Sequence, residues 1–132
     1  MEKMRVLLVD DETEFVSALA ERLNLRGFDA QTASSGEEAL QKIAASPPQV
    51  VLLDVLMPGM SGQETLKRIK KDHPDVKVIL LTGRGSWDGI QGVREGAYDC
   101  LMKPIQIEEL MHVMAGAVEG DKEKQPKEKE GE

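Results

Sequence analysis

Aromatic residues are almost missing from this chain: Phe15, Phe28, Trp87 and Tyr98 are the whole set among 132 residues. So few rings leave no stacking platform for single-stranded nucleic acid. A formal net charge of −7 also weighs against direct contact with a phosphate backbone. Cysteine is nearly missing too. With Cys100 alone no intramolecular disulfide can form, and a cytoplasmic setting is expected. Long apolar runs are also lacking. The N-terminal MRVLLVD is the length of one strand, too short for a signal-peptide core or a membrane span, so no membrane contact is expected. The length suits one domain with a core of its own.

What is present is an alternation. Short apolar runs at 4–10, 28–32, 49–54, 77–82 and 98–102 read as strands, and four of the five are nearly continuous Val, Ile, Leu or Met. Such runs suit strands covered on both faces of a parallel sheet. Amphipathic stretches lie between them. Phe15, Leu19 and Leu23 form one stripe before Gly27, and Leu40, Ile43 and Ala44 form a second after Ser35 and Gly36. A third helix is expected over 62–72 with Leu66 and Ile69 inward, closed by His73 and Pro74. A fourth is expected near 86–95. The fifth, over 106–118, carries Ile107, Leu110, Met111, Met114 and Val118. The class is therefore α/β, five βα units with helices on both faces of the sheet. From Glu119 onward EGDKEKQPKEKEGE holds no large apolar residue, so residues 1–118 are expected to form the domain and 119–132 a disordered charged tail.

The polar residues fall at the strand ends. The first strand stops at Asp10 and Asp11, the third at Asp54, the fourth at Thr82, and the fifth at Lys103 before Pro104. In an open parallel sheet ligands bind beyond the carboxyl ends of the strands, so three acids, a hydroxyl and an ammonium are expected on one rim. Adjacent carboxylates repel, and burying them uncompensated is costly. The simpler account, in which Asp10 or Asp11 caps a helix and Glu12 and Glu14 begin it, needs no site at all. The cluster with Asp54 favours an oxygen-ligated divalent cation instead, Mg²⁺ before Mn²⁺. Lys103 adds a fixed positive charge.

The acid pair, LLDVLMPGMSG around Asp54, LLTG around Thr82 and CLMKP around Lys103 together resemble the receiver domain of two-component response regulators, over residues 4–118. The resemblance implies a doubly wound (βα)5 flavodoxin-like fold with a parallel sheet of order 2-1-3-4-5. It implies that Asp54 accepts a phosphoryl group from a sensor histidine kinase or a phosphotransfer protein, as a carboxylate nucleophile. It implies that Asp11, Asp54 and the backbone carbonyl of Leu56 hold the metal, with Asp10 holding a coordinating water. Lys103 would pair with a phosphoryl oxygen, and the Thr82 hydroxyl would move to bond another. Pro58 and Gly59 would shape the loop after Asp54, Gly83 would leave space beside Thr82, and the Lys103–Pro104 bond would be cis. The chain would be a signalling domain rather than an enzyme, limited to phosphotransfer on itself and autodephosphorylation. It would be a monomer or a weak phosphorylation-dependent dimer, read by a separate protein or by an effector domain outside this sequence.

One departure stands out. Receivers usually carry an aromatic residue or a histidine three positions before the lysine, and that residue repacks as the hydroxyl moves; here it is Cys100, with Tyr98 expected on the same strand face. Two other readings compete. A pseudo-receiver would keep the fold without phosphate chemistry, and it is disfavoured because all five key side chains are present. An aspartyl-phosphate hydrolase of the haloacid dehalogenase type would carry a second Asp two residues after its nucleophile, where this chain has Glu12.

Overall fold

In a computed structural model, which describes residues 3–83 and 89–119, five parallel strands alternate with five helices. They are β1 (Arg5–Val9), α1 (Thr13–Leu25), β2 (Asp29–Ala33), α2 (Gly36–Ala45), β3 (Val50–Asp54), α3 (Gly62–Asp72), β4 (Lys77–Thr82), α4 (Gly89–Arg94), β5 (Asp99–Met102) and α5 (Ile107–Glu119). The sheet order is β2-β1-β3-β4-β5, every neighbouring pair parallel. This is the expected doubly wound arrangement. Each expected strand falls within a residue or so of its observed bounds. Of the expected fourth helix, residues 86–88 lie outside the described residues, as do Trp87, Arg84 and 120–132.

Two apolar layers flank the sheet, and strand alternation sorts them. Val6, Leu8, Val50, Leu52, Ile79, Leu81 and Leu101 face α1 and α5. Leu7, Val9, Val51, Leu53, Val78 and Leu80 face α2 and α3. Because β1, β3 and β4 are interior, both of their faces are covered, which is why their sequences run apolar without a polar break. Each fully buried Leu or Ile contributes roughly 1.5–3 kcal/mol of transfer free energy.

Helix starts follow local chemistry. Ser35 caps α2, its Oγ accepting from the Glu38 N–H at 3.1 Å. Glu38 in turn accepts from the Ser34 N–H at 2.8 Å, a reciprocal cap, and the hydrogen bonds from Ser34 hold its carboxyl below the usual carboxylate range. Ser61 caps α3 in the same way through the Glu64 N–H. At the far end His73 is the C-cap, and Pro74 prevents continuation.

Three helix stripes are rotated from expectation. In α2 the buried residues are Ala39 and Ile43; Leu40 is half-buried and Ala44 is exposed. In α5 Ala117 is buried, whereas Val118 is largely exposed and Met111 only half-buried. In α1 Val16 and Ala20 are buried beside Leu19 and Leu23, with Phe15 at the margin. Phe15, Leu40 and Met111 still pack against the edges of the two apolar layers. No described helix is long and apolar enough to cross a membrane.

Candidate functional site

The carboxyl ends of β1, β3, β4 and β5 open on one rim, and the alternation of each strand decides which side of the sheet its last residues occupy. Asp54 continues the Val50, Leu52 row toward α1 and α5, and Lys103 continues from Leu101 on that side. Thr82 continues the Val78, Leu80 row on the opposite side, toward α2 and α3, where Cys100 also packs. The rim is therefore divided into a charged half and a neutral half.

In the charged half, Asp10 and Asp54 are 1% and 4% exposed while Asp11 is open to solvent. Carboxylate oxygens of Asp10, Asp11 and Asp54 all lie within 4.8 Å of one another. Lys103 reaches into this cluster from behind β5. Its Nζ stands 3.0 Å from Glu12 Oε1, 3.2 Å from Asp10 Oδ2 and 3.6 Å from Asp54 Oδ2, and 5.4 Å over the Phe15 ring. Asp10 Oδ1 accepts from the Glu12 N–H at 3.0 Å, and Asp54 Oδ1 accepts from the Leu56 N–H at 3.3 Å. The capping account of the acid pair is thus half right: Asp10 binds the backbone at the start of α1, but Glu12 is the N-cap residue and makes no side-chain cap.

These contacts leave charge uncompensated. Burial first, and the Asp10 carboxylate second, push Asp54 up to about 6, against the pull of Lys103 and the Leu56 N–H. Burial also works against the Lys103 ammonium, yet Glu12, Asp10 and Asp54 hold its pKa above the ordinary lysine value. Asp10 Oδ2 is buried and accepts no hydrogen bond among the described residues, its approach to Lys103 being of ion-pair range only. An anionic oxygen left in that condition, beside two further carboxylates, fits a hard divalent cation with oxygen ligands. The donor set therefore suits Mg²⁺ or Mn²⁺.

The neutral half is held more loosely. Thr82 is 6% exposed, its carbonyl accepts the Lys103 N–H at 2.9 Å, and its Oγ1 lies 3.9 Å from Cys100 Sγ, within reach of a weak thiol hydrogen bond. Tyr98 does not share this neighbourhood as expected. It precedes β5, and its hydroxyl comes to α5 instead, where a Cβ at Gly116 would meet it at 3.1 Å.

The loop after β3 depends on glycine twice. Gly59, after Pro58, has φ +73°, a conformation that favours glycine. At Gly62 a Cβ would stand 2.5 Å from the Asp54 carbonyl oxygen and 2.7 Å from Val55 Cα. Helix α3 thus begins directly against the backbone of Asp54, and Gly62 N–H donates to Val55 O at 3.1 Å. An added Cβ at Gly83 would meet nothing within 4 Å among the described residues. The Lys103–Pro104 peptide is cis. Leu56 is 60% exposed at the mouth of the site.

Sequence reasoning missed three contributors. The sequence places Glu12 at a helix start and at the position of a hydrolase's second Asp, but not beside Lys103, to which its side chain makes a 3.0 Å contact; its place beside the acid pair is the available signal. Phe15 was read as core, and Gly62 as a helix start without a packing role.

Comparison with known proteins agrees with the geometry. Residues 6–115 match the model of the response regulator receiver domain. A homologue of the transcriptional regulatory protein CpxR from Haemophilus influenzae is 48% identical over 108 residues, 81% of this chain and 47% of that relative. The transcriptional regulatory protein YkoG of Bacillus subtilis is 40% identical over 112 residues, 84% of this chain and 49% of YkoG. The chain thus spans about half the length of these curated relatives. Among solved structures, the receiver domain of NtrX from Brucella abortus superposes with a TM-score of 0.81 at 33% identity, covering 86% of this chain and 98% of that one. A response regulator receiver domain protein from Clostridium thermocellum gives 0.82 at 34% identity, covering 86% and 93%. With a buried acid cluster and lysine at the strand ends, and with these matches along nearly all of its described length, the chain belongs to the response regulator receiver domain family of two-component signalling.

Proposed function

We propose that residues 1–118 form a phosphoacceptor that takes a phosphoryl group on Asp54 from the phosphohistidine of a sensor histidine kinase or phosphotransfer protein. A carboxylate oxygen of Asp54 attacks phosphorus, the P–N bond breaks, and the imidazole leaves with the electron pair and takes up a proton. Lys103, already 3.6 Å from Asp54 Oδ2, supplies a positive charge to the arriving phosphoryl oxygens. Thr82 supplies a hydroxyl from the other half of the rim. Asp11, Asp54 and the Leu56 carbonyl would hold Mg²⁺, with Asp10 acting through a water; when bound, the ion neutralises charge on the phosphoryl group. The chain turns over no external substrate beyond its own phosphorylation and hydrolysis. Because the relatives it matches are named as transcriptional regulators, their names support an output in transcription. That output would be delivered by a separate protein or by an effector domain outside this sequence.

The observation that carries this reading is the buried Asp54 carboxylate, set among two further acids and one lysine at the carboxyl edge of the sheet. Incubation with a small phosphodonor and Mg²⁺, followed by intact mass and peptide mapping, tests it. One labile phosphate on Asp54, absent when the metal is chelated, is the expected result. Continuous release of inorganic phosphate from an added phosphomonoester would instead indicate a hydrolase, and no uptake at all a pseudo-receiver.

A further inference from the structure

The side chain closest to Lys103 Nζ is neither the phosphoacceptor nor a member of the metal-holding set. It is Glu12, at 3.0 Å, with Asp54 the most distant of the three carboxylates at 3.6 Å. Glu12 is well placed for this. Its backbone N–H donates to Asp10 Oδ1, so the residue is anchored to the acid pair while its largely exposed carboxylate pairs with Lys103. The Phe15 ring, about one helical turn further along α1, lies 5.4 Å from the same ammonium. Two residues at the start of α1, Glu12 and Phe15, therefore contact the same ammonium that Asp10 and Asp54 share.

We infer that Glu12 is a positioning residue that holds Lys103 back from the phosphoacceptor in the unphosphorylated chain and competes with the phosphoryl group for the ammonium. The inference rests on the phosphoacceptor reading above. A phosphoryl group on Asp54 replaces the single carboxylate charge with nearly two close to Lys103, and the ammonium that Glu12 holds is then drawn toward them. Whatever free energy the Glu12 contact holds is subtracted from the binding of the phosphoryl group. An exposed ion pair of this kind is weak, so the effect is a tuning of affinity rather than a gate.

The test measures the concentration of beryllium fluoride that half-saturates the Mg²⁺-loaded protein, read by amide chemical shifts. It compares wild type, Glu12→Gln, Lys103→Met and the double variant. Glu12→Gln keeps the length and an acceptor but removes the charge. It is expected to lower the half-saturating concentration by about two- to fivefold, the range set by an exposed ion pair. A solely structural role for Glu12 would shift the melting temperature and leave that concentration unchanged. In the Lys103→Met background the effect of Glu12→Gln is expected to vanish. If it persists there, Glu12 repels the anion directly and the inference is overturned. It is also overturned if Glu12→Gln binds no more tightly than wild type. Failure of the phosphoacceptor reading is a separate result, since wild type would then bind beryllium fluoride nowhere near Asp54.

Discussion

The two halves of the rim are built on opposite principles. On the α1/α5 side Asp10, Asp54, Glu12 and Lys103 form a web of ion pairs at 3.0–3.6 Å around buried carboxylates. On the α2/α3 side Thr82 meets Cys100 across 3.9 Å, a contact of the weakest hydrogen-bonding kind. One half is assembled before any ligand arrives and carries an electrostatic cost; the other is neutral and lightly tethered. A preassembled charged half suits chemistry, and a hydroxyl held by a weak contact suits movement. Variants on the two sides should therefore fail differently, those on the charged side in phosphate uptake and stability, those on the neutral side in the conformational response alone.

The largest break is Asp54→Asn. It should abolish phosphate uptake by intact mass, yet raise stability at neutral pH in the presence of a chelator. The sign follows from the raised pKa of Asp54, about 6 against 3.8 unperturbed. The folded state holds that proton more tightly than the unfolded state. Its stabilising contribution is full below pH 4 and lost as pH rises through about 6. Wild type should thus lose on the order of 2–3 kcal/mol between pH 4 and pH 7 that the Asn variant keeps. Chemical denaturation at the two pH values checks this: the curves should converge at pH 4 and separate at pH 7. Phosphate on the Asn variant at the wild-type rate would remove Asp54 from the chemistry.

Gly62→Ala comes next, because the added methyl would meet backbone atoms at 2.5–2.8 Å that belong to Asp54 and Val55. Overpacking of this kind costs about 1–3 kcal/mol, and the displacement falls on the backbone of Asp54. A drop in denaturation midpoint together with slower phosphate uptake is expected. Gly83→Ala, on the neutral half, where an added Cβ meets nothing within 4 Å among the described residues, should stay within about 0.5 kcal/mol of wild type. Equal losses for the two would show that glycine matters here for chain flexibility and not for close approach.

Why the sequence announced the strands and the rim but not these contacts has a physical answer. Apolar runs such as VVLLD and KVILLT fix strand identity because an interior parallel strand must be apolar on both faces. The polar residues that end them, Asp54 and Thr82, then fall at the carboxyl edge by topology alone. Helix α3 was legible because Leu66, Ile69 and Pro74 agree on phase and stop. The phase of α2 and α5 was not, since hydrophobicity alone does not tell that Ala39 and Ala117 are buried while Ala44 and Val118 are exposed. Glu12 and Lys103 are 91 residues apart, so their pairing exists only once β5 and α1 are side by side. The close approach at Gly62 is likewise a distance between two elements, which no local pattern encodes.

A smaller effect is the response to metal. Millimolar Mg²⁺ should raise the melting temperature of wild type, by the equivalent of about 1.4 kcal/mol at a tenfold excess over the dissociation constant. Asp11→Ala should cancel the shift, because Asp11 is the exposed member of the three-acid cluster and carries no packing role. Variants at Thr82 or Cys100 should leave the shift in place, since neither belongs to the charged half. A melting temperature indifferent to Mg²⁺ in wild type would remove the metal from the site.

The smallest effect, and the sharpest test of the division, is at Cys100. A thiol 3.9 Å from the Thr82 hydroxyl is a poor donor, and Tyr98 is turned toward Gly116 of α5 and leaves the space beside Thr82 to the sulfur. With no ring there among the described residues, movement of Thr82 toward a phosphoryl mimic has no described ring to displace, and the surface formed by β5 and α5 should shift only slightly. Cys100→Tyr would place a ring where the sulfur packs against the α2/α3 layer. Movement of Thr82 would then require that ring to repack, and the response of the outer face would grow. Amide exchange over residues 98–118, with and without beryllium fluoride, measures it. Wild type should show the smaller change and the Tyr variant the larger, with Asp54 occupied equally in both. Equal changes would mean that the coupling bypasses position 100. The neutral half of the rim would then be tied to the outer surface through the backbone of β4 and β5, where Lys103 N–H binds the Thr82 carbonyl at 2.9 Å, and not through side chains.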